Sequence, residues 1–222
     1  MPVHDELARQ FSAVDTTALC DADKTTRVLH SAIRARSART RMFGPAFTVR
    51  CRDDFLGVLR AVEAAEPGDV IVVDGGEREI ALGGELFARG ALARSLGGLV
   101  VDAGYRDMAY VSGCELPVYS RFVTPLSGTS AKLGELQIPV TCGGVTVNPG
   151  DLVLADGEGL VVVAPDRIRD LLTAAHAIKK TETAIIDRLD TGATLSDAFA
   201  LAEHVEALKR GEPSALRPRT VP

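Results

Sequence analysis

No stretch of this chain holds the roughly 18 consecutive apolar residues that a membrane span needs. The N-terminal MPVHDELARQ carries acids where a secretory signal would have a basic stretch and then an apolar run. Both absences point to a soluble, cytoplasmic protein without a membrane partner. A basic excess is also lacking: 20 Arg and 5 Lys are scattered among 30 acids, and the formal net charge is -5. No broad positive surface is left for nucleic acid. The four cysteines, Cys20, Cys51, Cys114 and Cys142, form no CxxC pair and stand outside metal-ligand spacing of any histidine, which leaves them as buried free thiols. His4, His30, His176 and His204 are isolated too, with no HExxH or HxxxH among them. No internal repeat or low-complexity segment is present.

What is there suits one globular domain over residues 1–222: 46% hydrophobic and 25% charged residues are enough to bury a core at ordinary domain size. The first fifty residues read as a short helix, a loop and the strand AFTVRC after Gly44-Pro45. FLGVLRAVEAAEPGD has helical spacing and stops at Pro67-Gly68, and DVIVVDGG is an apolar strand of the kind covered on both faces. Leu82, Leu86, Gly90, Ala93 and Gly97 then fall on one side of a helix that leads into the strand GGLVVDAG. Strand, helix, strand makes a parallel βαβ unit. MAYVSGCELPVYSRF reads as a short helix and a strand, and TPLSGTSAKLGELQIPV as a loop-rich passage. GGVTVNPGDLVLADGEGLVVVAP supplies three short turn-linked strands, a hairpin or barrel-like β layer. Two helices follow Pro165, the second opened by Thr194 with Asp197 as a capping box, and residues 212–222 read as a frayed tail. The fold class is α/β with C-terminal helices.

Ligands of parallel α/β units collect beyond the carboxyl ends of the strands, so DGGEREIALGG and DAGYRD face one crevice. Gly83 and Gly84 open the helix, where free backbone N–H groups can hold a carboxylate or phosphate. Arg106 can grip a carboxylate with two donors and neutralise an enolate as it forms. Asp107 offers a hard oxygen and Glu85 can hold a metal-bound water, a small donor set that suits Mg²⁺ or Mn²⁺. Asp74 and Asp102 end strands before glycine turns, an ordinary place for an acid, and stay outside the site. Lys24, Lys132, Lys179, Lys180 and Lys209 lie away from the crevice, which argues against Schiff-base chemistry.

The acid at Glu85, followed after twenty intervening residues by Arg106-Asp107, resembles the acid-X20-Arg-Asp motif of the RraA-like 4-hydroxy-4-methyl-2-oxoglutarate aldolases. GPAFTVRC, PGDVIVVDGG, GLVVDAGYRD, LPVYSR and GGVTVNPGDLVLADGEGLVVVAP are similar to that family as well, over roughly residues 15–190. The resemblance implies a swivelling β/β/α-type domain in homotrimers or hexamers. It also implies a divalent-metal pyruvate aldolase, acting on small 2-oxoacids, that decarboxylates oxaloacetate too. In that scheme the backbone of Gly84, Glu85, Leu86 and Phe87 binds the pyruvyl carboxylate, Arg106 the keto and carboxylate oxygens, and Asp107 the metal. Glu85 positions a water on the metal for proton transfer, and Glu182 is the candidate for an acid reaching a neighbouring subunit's site. The family also holds regulators that inhibit ribonuclease E by contact, but these tend to lose the Asp after the Arg, and this chain keeps Asp107. A methyltransferase label attached to the family finds no glycine-rich nucleoside signature and no acidic ribose partner here.

Overall fold

Runs of β-branched residues broken by glycine and proline set the order of elements in the computed structural model, which describes residues 2–219. Along the chain these are α1 (Pro2–Ser12), α2 (Thr16–Ala22), β1 (Arg27–Val28), β2 (Arg34–Ala35), β3 (Met42–Arg50), α3 (Leu56–Ala64), β4 (Val70–Ala81), α4 (Glu85–Ala93), β5 (Gly98–Tyr105) and α5 (Met108–Val111). Then come β6 (Val118–Val123), β7 (Glu135–Leu136), β8 (Val140–Cys142), β9 (Val145–Val147), β10 (Leu152–Ala155), β11 (Leu160–Val163), α6 (Ile168–Asp190), α7 (Leu195–Ala198) and α8 (Leu201–Lys209).

One mixed sheet runs in the order β1-β11-β10-β3-β4-β5-β6-β2, with β7 added on β3. Its centre, β3 to β6, is parallel, and β10, β11, β1 and β2 join antiparallel. All eight residues of β5 are buried, as a strand covered on both faces requires. Alternating side chains serve the two faces. Ile71, Val73, Leu99 and Val101 pack under α3 and α4, while Val70, Val72 and Val100 pack with residues of the separate β8–β9 hairpin. A third cluster seats α1, α2 and α6 on β10 and β11. Among the described residues no helix is long and apolar enough to cross a membrane.

Helix α4 is shorter and differently turned than its apolar spacing indicates. Leu82 and Gly97 lie outside it, Ala88 and Ala91 are its buried residues, and Leu86 is 79% exposed. Two alanines one turn apart let the helix sit close to the sheet, so the larger Leu86 is turned out. Beyond Pro165 there are three helices rather than two. Thr194 and Asp197 do form a capping box, but it opens only the single turn of α7 before α8. The chain end is tied back: Phe199 bridges Pro218, and Arg219 donates to Glu203 at 2.8 Å. Residues 220–222 of the expected tail lie outside the described residues. Three of the four free cysteines are buried and Cys20 is half-buried. Burial, with Asp54 and Asp74 nearby, pushes the Cys51 thiol up to about 12, which removes it from thiolate chemistry.

Candidate active site

The segment joining β4 to α4 is stitched to the end of β5 at every step. Leu82 N–H donates to the Gly104 carbonyl at 3.0 Å and Arg106 N–H to the Gly83 carbonyl at 3.2 Å. The buried Tyr105 hydroxyl donates to the Gly84 carbonyl at 3.0 Å. Both glycines are required by close approach. A Cβ on Gly83 would stand 2.5 Å from Cε2 of Tyr105, and one on Gly84 would overlap the Asp107 carboxylate. A larger residue at either position would push the two strand ends apart.

Asp107 follows β5 in the left-handed conformation, φ 62°, a backbone that a non-glycine residue keeps only when its surroundings hold it. Its carboxylate turns back across the crevice and Oδ2 accepts the Glu85 N–H, at the start of α4, at 3.0 Å. The next two amides of α4, Leu86 and Phe87, precede the first intrahelical bond, Ala88 N–H to the Gly84 carbonyl, and so point out free for an anion. Nε of Arg106 lies 3.7 Å from Asp107 Oδ2, and both side chains are partly exposed. A helix N-terminus, a guanidinium and a carboxylate therefore share one rim. Arg106, Leu86, Phe87 and Gly83 also line a cleft of about 210 Å³ between α3 and α4.

Two expected participants point elsewhere. The Glu85 carboxylate pairs with Arg89 one turn along α4 at 2.7 Å, and Arg89 in turn stacks 4.0 Å over the Tyr110 ring. Glu182 is held by Lys179 at 3.0 Å and lines a separate cleft between α6 and the C-terminal segment, with Thr181, Ile185, Phe199 and Leu216. Within one chain, then, Gly84, Leu86, Phe87, Arg106 and Asp107 are brought together, while the carboxylates of Glu85 and Glu182 are turned to basic neighbours.

Asp74 and Asp102, set aside from the sequence, are buried and fully engaged. Asp102 accepts from Arg121 Nε at 2.5 Å and from the Gly143 N–H at 2.6 Å. Asp74 accepts from Arg50 at 3.3 Å and from the Gly76 N–H at 3.1 Å. By the alternation of β4 and β5 both lie on the sheet face away from α4, and Asp102 ties the β8–β9 turn to the sheet.

One residue that sequence reasoning missed is Asp54. It is fully buried just before α3, where Oδ1 accepts the Leu56 N–H. Its Oδ2 takes Thr129 Oγ1 at 2.7 Å, the Ala131 N–H at 2.6 Å and the Lys132 N–H at 3.0 Å. Burial works against its charge, yet these hydrogen bonds outweigh it and bring the carboxyl down to about 2. Asp54 thereby fixes the loop that delivers Ser127 to the cleft, where Ser127 bridges Ala81. An acid immediately before the predicted helix FLGVLRAVEAAEPGD is the only signal the sequence carries for it.

Comparison with known proteins places the whole chain rather than the site. The RraA-like model, described as aldolase/RraA, matches residues 16–162. Proteins named "Putative 4-hydroxy-4-methyl-2-oxoglutarate aldolase" are similar to the chain. One from Halalkalibacterium halodurans is 33% identical over 75% of this chain and 80% of its own length. Another from Burkholderia multivorans is 38% identical over 67% of this chain and 95% of its own. Among solved structures, the RNA-processing inhibitor RraA from Thermus thermophilis superposes with a TM-score of 0.63 at 30% identity, over 67% of this chain and 92% of that one. The chain belongs to the RraA-like family.

Proposed function

We propose that the chain is a divalent-metal pyruvate aldolase that cleaves 4-hydroxy-2-oxoacids, of the 4-hydroxy-4-methyl-2-oxoglutarate type, and decarboxylates oxaloacetate at the same site. The observation that carries this reading is the stitching of Gly83-Gly84 to Arg106-Asp107 around one cleft.

The donor set is small. Among the described residues no group of three or more His, Cys, Asp or Glu side chains is arranged so that it could hold a metal ion. Asp107, anchored through Oδ2 and partly exposed, is a single hard ligand. That fits Mg²⁺ or Mn²⁺, ions that keep most of their coordination for water and substrate oxygens. Bound at Asp107, such an ion would supply Lewis-acid withdrawal of charge from the keto and carboxylate oxygens. The Leu86 and Phe87 amides hold the pyruvyl carboxylate at the positive end of α4. Arg106 donates to the substrate's keto and carboxylate oxygens and meets the negative charge that grows as the C3–C4 bond breaks. Glu85, which Arg89 holds through Oε1 alone, takes the C4 hydroxyl proton on Oε2 through a water and returns a proton to C3. Loss of CO2 from oxaloacetate leaves the same pyruvate enolate, so one set of residues serves both reactions. A homotrimer or hexamer completes the site in this reading, with Glu182 brought up from a neighbouring copy. The exposed Ile186, Leu195 and Leu208 of the C-terminal helices offer apolar surface for such assembly. A regulator acting only by surface contact would have no use for a carboxylate wedged at a helix N-terminus.

The test is pyruvate release from oxaloacetate and 4-hydroxy-4-methyl-2-oxoglutarate with Mg²⁺. Excess EDTA and Asp107→Ala should each abolish it. Full turnover in EDTA would sink the reading.

A further inference from the structure

The cleft that begins at Arg106 continues well past the polar rim. Between α3 and α4 it is lined by Phe55, Leu59, Val62, Leu86 and Phe87. The rings of Phe55 and Phe87 meet edge to face with centroids 5.8 Å apart. At Gly90 the α4 wall has no side chain, and an added Cβ would meet only Val62 Cγ1, 3.3 Å away. The space, about 210 Å³, is ample for a six-membered ring, since an apolar cavity of ~150 Å³ takes benzene.

Charge along the cleft is one-sided. Apart from Arg106, the only acidic or basic side chain lining it among the described residues is Glu63, whose carboxylate lies 3.9 Å from Arg94. The neighbouring Arg60 is committed to the Leu133 and Gly134 carbonyls, and Arg89 to Glu85. A second substrate carboxylate entering here would lose water, find no further cation on this chain's walls and face Glu63. An apolar group would lose nothing.

We infer that the α3–α4 cleft is the subsite for the C4 substituent of the substrate and takes an apolar group, phenyl or branched alkyl, in preference to a carboxylate; this rests on the aldolase reading above, within which 4-hydroxy-4-methyl-2-oxoglutarate, with a carboxylate on C4, becomes the slower of the two kinds of substrate. For a phenyl substituent the C3–C4 bond breaks and its electron pair passes to C3. The C4 hydroxyl loses its proton to become benzaldehyde, and the enolate takes a proton at C3 to become pyruvate, with no change of oxidation state overall. Leu59, half-exposed at the cleft mouth, is the residue through which the preference can be turned.

The experiment compares kcat/KM for pyruvate release from 4-hydroxy-4-phenyl-2-oxobutanoate and from 4-hydroxy-4-methyl-2-oxoglutarate, with oxaloacetate as the reference for the parent reaction. Calorimetric binding of 4-phenyl-2-oxobutanoate and 2-oxoglutarate, which lack the C4 hydroxyl and are not cleaved, is measured alongside. The phenyl substrate should be favoured by roughly tenfold or more, its analogue should bind more tightly, and Leu59→Arg should reverse both orders. Turnover of oxaloacetate combined with a preference for the dicarboxylate overturns the subsite and leaves the aldolase reading standing. No turnover of any substrate, with the phenyl analogue still bound more tightly and Leu59→Arg reversing that order, defeats the aldolase reading and keeps the subsite. Equal binding of the two analogues, or a Leu59→Arg protein with unchanged ratios, overturns it.

Discussion

Asp102 and Asp107 stand five positions apart, one near the end of β5 and the other just beyond it, and they differ in what each carboxylate has left over. Asp102 is buried, with one oxygen on the Arg121 guanidinium and the other on the Gly143 amide. Asp107 is partly exposed, with one oxygen on the Glu85 amide and only a long contact to Arg106. The first carboxylate is used up in holding the β8–β9 turn to one face of the sheet. The second has lone pairs to spare on the face where α4 begins and where the cleft opens. A strand-end acid is available to a ligand only when the fold fixes its direction and leaves an oxygen unsatisfied, and it is a structural tie when every oxygen is taken. Sequence position alone does not separate the two.

The contrast is broken most easily by removing the saturated partner. Asp102→Ala leaves a guanidinium that is only 7% exposed with the exposed Glu77, 3.5 Å away, as its remaining acid, and loss of one member of a buried pair costs about 3–5 kcal/mol. Urea unfolding should record that loss. An Asp102→Ala protein with wild-type stability and no activity would instead move Asp102 into the site and erase the distinction. On the other side of the comparison, Arg106→Lys keeps the charge but not the two-pronged geometry. If Arg106 meets charge that develops during bond breaking, kcat on oxaloacetate should fall by roughly 10²–10³, about 2.7–4 kcal/mol, with a smaller rise in KM. A raised KM with kcat intact would reduce Arg106 to a docking residue for the ground-state carboxylate.

The half of the molecule that carries the site was the more legible in the sequence, because a parallel βαβ unit has to bring the two ends of its connecting segment together. Gly83-Gly84 and Arg106-Asp107 could thus be placed at one crevice without coordinates. The face of α4 that packs on the sheet is not the one its apolar spacing marks, since that spacing runs through Leu82 and Gly97 in the flanking segments and includes the exposed Leu86. The direction of the Glu85 side chain was open to a purely local rule, the i,i+4 pair with Arg89. Glu182 lies under a similar local tie, to Lys179 three residues before it. Asp54 was hidden for the opposite reason: its partners Thr129, Ala131 and Lys132 lie 75 to 78 positions further along the chain. No local pattern announces a carboxylate whose work is to fix a remote loop.

Asp54 supplies the mildest test, and it adds to the comparison a third carboxylate that is saturated like Asp102 yet serves the cleft that Asp107 borders. Its carboxyl sits at about 2 in the folded protein against an ordinary 3.8, so its contribution is present in full above pH 3.8 and is lost as pH falls towards 2. Asp54→Asn keeps an acceptor for one amide but cannot serve three further donors, and should cost about 1–3 kcal/mol at pH 7. Measured by thermal unfolding, the gap in Tm between wild type and Asp54→Asn should hold from pH 7 to about 4 and close between pH 4 and 2. Asp15, which caps α2 and is likewise brought to about 2, titrates in the same window. It is present in both proteins and cancels in the difference. Hydrogen exchange at the Ala131 and Lys132 amides should quicken in Asp54→Asn at neutral pH and in the wild type only on acidification. A gap in Tm that stays constant down to pH 2 would show that the carboxylate charge is not what holds the loop.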